Sequence, residues 1–117
     1  MTTPQLRIEL EVQPEQITMA NRKDAVVRMT VTNLGTTTKD FELSSSELRV
    51  DGALSRAWTM SLNNSGHPGT WRALPPNQRV TQGAAICEEL FARPGEYTIE
   101  LSVAGVAAPQ VQVRVTP

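Results

Sequence analysis

Apolar and polar residues alternate one by one along most of this chain. Leu6, Ile8, Leu10 and Val12 are interleaved with Arg7, Glu9 and Glu11, as in a strand with one buried and one wet face. Pro14 ends that run, and a second sets Val27, Met29 and Val31 against Arg28, Thr30 and Thr32. Phe41 with Leu43 predicts a short third strand, Leu48 with Val50 a fourth, and Trp58, Met60 and Leu62 a fifth. Val80 to Ile86 supply the next. Tyr97, Ile99, Leu101 and Val103 give the clearest alternation, and Val111, Val113 and Val115 close the series. Turn residues punctuate these runs at Asn33-Leu34-Gly35, Asp51-Gly52, Pro75-Pro76-Asn77, Pro94-Gly95 and Ala107-Ala108-Pro109. Asp51-Gly52 is the strongest hairpin signal, because both central residues of a type I′ turn need positive φ. No stretch holds a sustained helical period. Glu88 to Ala92 are expected to form a single helical turn, and Asn63 to Gly69 a long loop.

Seven to eight short strands at roughly ten-residue spacing predict an all-β protein, either sandwich or barrel. Gly95-Glu96-Tyr97 places a tyrosine just inside the penultimate strand. That is the position of the tyrosine corner, whose phenol bonds to upstream backbone in immunoglobulin-like folds. The expectation is therefore an immunoglobulin-like antiparallel β-sandwich. At 117 residues without internal repeats, residues 1–117 are expected to form one domain.

Composition narrows the partners. Aromatic residues are 4% of the chain against 39% hydrophobic overall, so the core must be mostly aliphatic. The net charge is −1 with no basic cluster, which argues against a nucleic-acid or anionic-membrane surface. Cys87 is the lone cysteine, so no disulfide forms within the chain. A reducing compartment, and thus the cytoplasm, is expected. The N-terminus lacks the basic and apolar blocks of a signal peptide, and no apolar run is long enough to span a bilayer.

Catalytic chemistry finds little support. His67 is the single histidine and sits between Gly and Pro residues, where it reads as a solvent-exposed loop side chain. Cys87 has no adjoining basic residue to lower its pKa and reads as structural. One Cys and one His fall short of a zinc set, and the acidic residues are scattered. No catalytic residue, metal site or cofactor is expected, and the chain reads as a non-enzyme. Recognition by a framed loop remains, with a protein as the expected partner and the oligomeric state open. The stretch from Trp58 to Arg72 joins a Gly/Pro/Asn/Ser loop to two tryptophans. Trp58 is expected in the core. The candidate binding residues are Asn63, Asn64, Ser65, His67, Pro68, Trp71 and Arg72, since Trp and Arg are frequent interface anchors.

The order of parts resembles the bacterial intracellular proteinase inhibitor family, the BsuPI type. The resemblance runs through Val31-Thr32-Asn33, Phe41-Glu42-Leu43 and the hairpin at Leu48-Arg49-Val50-Asp51. It continues through Trp58, Leu74-Pro75-Pro76-Asn77-Gln78 and Pro94-Gly95-Glu96-Tyr97-Thr98. It implies an immunoglobulin-like fold and inhibition of subtilisin-like serine proteases. Thr59 to Gly69 depart from the family's pattern, so the resemblance assigns no inhibitory residue.

Overall fold

The computed structural model describes residues 5–64 and 66–117. The strands are β1 (Leu6–Gln13), β2 (Ile17–Thr18), β3 (Val26–Asn33), β4 (Glu47–Val50), β5 (Ala53–Leu54), β6 (Arg79–Ala84), β7 (Gly95–Val103), β8 (Val106–Ala107) and β9 (Val111–Thr116). Two helices interrupt them, α1 (Arg56–Asn64) and α2 (Cys87–Leu90).

Strict alternation makes β1 and β3 a matched pair. They run antiparallel with Ile8 opposite Val31, Leu10 opposite Met29 and Val12 opposite Val27. Every inward side chain therefore meets another, and Arg28 meets Glu11 on the wet face. β6 pairs with the far side of β3, completing a three-stranded sheet. The second sheet has the order β2-β9-β7-β4-β5, with β8 folded back on β7. After cis Pro14 the chain crosses between the sheets, and β2 pairs parallel with β9. The inner faces share one apolar core containing Met29, Val31, Leu48, Ile99 and Leu101. This is an immunoglobulin-like β-sandwich, in which β1, β3 and β6 take the A, B and E positions and β4, β7 and β9 take C, F and G.

Local chemistry sets the turns. Asp51 and Gly52 have φ of 50° and 85°, the conformation anticipated for this hairpin. The Asp51 carboxylate also accepts a bond from the Thr98 backbone N–H at 2.8 Å. The Tyr97 hydroxyl donates to the Arg93 carbonyl at 2.7 Å and accepts from the Arg93 N–H at 3.3 Å, so the tyrosine corner is present. Asn33, 1% exposed, ties two loops together. Its amide donates to the carbonyls of Thr37 and Leu74 at 2.9 and 2.8 Å, and its Oδ1 accepts from the Gly35 N–H at 2.8 Å.

Two predicted strands are absent. Trp58, Met60 and Leu62 lie on α1. Residues at i and i+4 share a face in a helix as well as in a strand, so Trp58 and Leu62 fit either; Met60 decides. It is 55% exposed, on the side opposite the buried pair. Ser55 starts the helix, its Oγ accepting the Trp58 N–H at 3.1 Å as an N-cap does. Phe41 and Leu43 are buried without forming a strand. Lys39 instead makes an isolated bridge to Leu74, and Leu43–Ser45 closes as a 3-10 turn. The single turn expected at Glu88 to Ala92 is α2, beginning one residue earlier at Cys87.

Candidate functional site

The segment expected as a long loop is shorter and better anchored than its composition suggests. Asn63 and Asn64 form the exposed last turn of α1, while Ser65 lies outside the described residues. Gly66 and Pro68 are exposed, and Gly69–Trp71 winds into a 3-10 turn that delivers Arg72 to the surface.

His67 and Trp71 correct the picture of a free loop. Their rings stack with centroids 3.9 Å apart and an interplanar angle of 3°. The His67 Nε2 lies 2.8 Å from the Leu62 carbonyl oxygen at the end of α1. Because a carbonyl only accepts, Nε2 carries a proton. Nδ1 is buried and meets no hydrogen-bonding group. The imidazole is half-buried and fixed, whereas its Gly- and Pro-flanked sequence predicted a mobile, solvated ring. Among the described residues neither nitrogen meets a hydroxyl, thiol or carboxylate, so no base-and-nucleophile pair forms there.

Trp71 is 2% exposed and belongs to the core rather than to a contact surface. Its indole N–H donates to Ser44 Oγ at 2.9 Å, and that of Trp58 donates to Ser46 Oγ at 3.1 Å. Both tryptophans thus hang α1 and the segment after it on the turn at Ser44 and Ser46. Of the candidate residues, Asn63, Asn64, Pro68 and Arg72 present surface, while His67 is half-buried and Trp71 buried.

Cys87 opens α2 and is fully buried. Burial, and secondarily the Glu89 carboxylate, push its thiol up to about 11, so it stays protonated at neutral pH and is a poor nucleophile. Among the described residues no three His, Cys, Asp or Glu side chains gather as a metal site. A second surface has no signal in the alternation, a shallow groove lined by Val50, Ala53, Leu54, Ala57 and Leu90 and flanked by Arg56 and Glu89. Leu54 is 51% exposed there. Alternation cannot announce such a residue, since it stands on a two-residue strand.

The fold has counterparts among solved structures. The CARDB domain of a Pyrococcus furiosus protein, determined in complex with di-metal ions, superposes with a TM-score of 0.57 at 19% identity, covering 98% of both chains. The alkylpurine DNA glycosylase AlkC of Pseudomonas fluorescens, bound to DNA containing an abasic-site analogue, matches with a TM-score of 0.51 at 12% identity. The match covers 97% of this chain but 31% of the glycosylase. At such identities the likeness is one of fold. No protein-family model and no curated protein matches the chain, so the resemblance to proteinase inhibitors rests on the order of its motifs.

Proposed function

We infer that this chain is a non-catalytic protein-binding module whose contact surface is the Asn63–Arg72 segment. The observation that carries the reading is the stack of His67 on Trp71, locked at Leu62 and Ser44. The part from His67 to Trp71 is already fixed in the free protein and loses little conformational freedom on binding, so contacts beside it translate into affinity. Charge supports a protein rather than a nucleic acid as partner, because a net −1 supplies no excess cations to neutralise phosphates. Burial of Trp58 and Trp71 leaves neither indole as a platform for stacking a sugar ring. A buried, unpaired thiol is consistent with residence in a reducing cytoplasm.

The sharper form of this reading is inhibition of a subtilisin-like protease, as the motif order implies. It is tested by titrating the purified protein into such a protease. The expected result is stoichiometric loss of activity with the 63–72 segment uncut. Full protease activity at excess protein, with rapid cleavage in that segment, removes the inhibitory reading.

A second reading, an accessory domain without inhibitory activity, is favoured by the match to a part of the much longer glycosylase. In that case the binding surface persists and the protease titration stays flat.

A further inference from the structure

The edge of β6 carries an inference independent of the 63–72 segment. In constant-type immunoglobulin sandwiches a D strand lies beside E. Here residues between β5 and β6 form α1 and a 3-10 turn, and β6 has β3 as its sole strand partner among the described residues.

The phase of the hydrogen bonds shows which groups that edge leaves free. Leu34 N–H donates to the Gln5 carbonyl, and Asn33 N–H donates to the Gln78 carbonyl. Bonding alternates residue by residue in antiparallel pairs. Even-numbered residues of β3 therefore bond β1, and odd-numbered ones bond β6. Through the register of β3 with β6, Val80, Gln82 and Ala84 bond inward, while the backbone groups of Arg79, Thr81 and Gly83 point away from the sheet. This edge has six residues, no proline and one charged side chain. It lacks most of the devices that ordinarily block strand addition.

We propose that β6 pairs antiparallel with β6 of a second copy of this chain, with the two-fold axis at Thr81. In this register the outward groups of Arg79, Thr81 and Gly83 face those of Gly83, Thr81 and Arg79 in the second copy. All three outward residues pair within the strand. Shifting by two residues either way leaves only two of them facing each other. The one charged side chain then lies opposite a glycine, so like charges do not meet. In the free chain the Gln82 amide donates to the Gly83 carbonyl at 3.1 Å, standing in for the Arg79 N–H of the second copy. Pairing produces a continuous six-stranded sheet in the order β1-β3-β6-β6-β3-β1.

Sedimentation equilibrium over a wide concentration range tests the proposal. The unmodified chain should show a reversible monomer–dimer equilibrium. Thr81→Pro removes an N–H that β3 does not use, so the fold should stand while two intermolecular bonds vanish. Dimerisation should weaken about 30-fold. Because Thr81 faces itself across the axis, Thr81→Lys and Thr81→Glu should each weaken the dimer about threefold or more, and an equimolar mixture should restore it as a heterodimer. These two exposed substitutions keep the test decisive if the proline variant fails to fold. A strictly monomeric unmodified chain at millimolar concentration overturns the proposal. So does a dimer indifferent to Lys or Glu at Thr81.

Discussion

Asn33 shows how much one buried polar side chain can fix. Its three side-chain bonds reach Gly35, Thr37 and Leu74, joining the turn after β3 to the approach to β6. Asn33→Ala should lower stability by about 3 to 4 kcal/mol, because the carbonyls and N–H it served lose their partners in a dry interior. Urea unfolding at neutral pH measures this. Cys87 makes a second prediction at this scale. Its thiol is pushed up to about 11 in the folded chain, against an ordinary value near 9. Below pH 9 both states hold the proton and nothing changes. As pH rises toward 11 the unfolded chain ionises ahead of the folded one, so stability falls by about 2 kcal/mol across that window. Cys87→Ala should lack this alkaline slope in unfolding curves recorded from pH 8 to 11. Cys87 was legible in the sequence as a structural residue. Asn33 shows in the sequence only as a turn signal, because the carbonyls it binds come from Thr37 and from a segment some forty residues away.

At the scale of elements, α1 separates what alternation determines from what it leaves open. Trp58 and Leu62 satisfy a strand and a helix equally, and the surrounding alternation favours the strand. Ser55 at the N-cap position was the available local signal. The helix makes a prediction opposite to that of a strand. Met60→Glu should change stability by less than about 0.5 kcal/mol, whereas Leu62→Ala should cost about 2 to 5 kcal/mol. Thermal unfolding of the two variants distinguishes the cases, since on a strand both side chains would be buried together. The corner made by Tyr97 is also an element-scale device, tying the start of β7 to Arg93. Tyr97→Phe should cost about 1 kcal/mol while the fold persists, checked by the same melts. That corner was readable from Gly95-Glu96-Tyr97, because its partners are four residues apart.

For the whole molecule, the two sheets, α1 and the tryptophan-bearing segment share one core. Unfolding should therefore be a single transition. Tryptophan fluorescence, which reports Trp58 and Trp71, should change at the same denaturant concentration as far-ultraviolet circular dichroism. An earlier fluorescence change would show that α1 and Trp71 detach before the sheets. By itself, the sequence determined the sandwich: the six of eight alternating runs that are β1, β3, β4, β6, β7 and β9, the hairpin at Asp51-Gly52, and the tyrosine near the start of β7. These features rest on side-chain alternation and on φ preferences, which are local. Only the tertiary structure decided that Trp71 is buried, that His67 is clamped upon it, and that the edge of β6 is left open. Each of these depends on which distant segment occupies the space beside a residue. The serine hydroxyls that receive the indole N–H groups, and the strand missing beside β6, are set by packing across the fold, where periodicity carries no information.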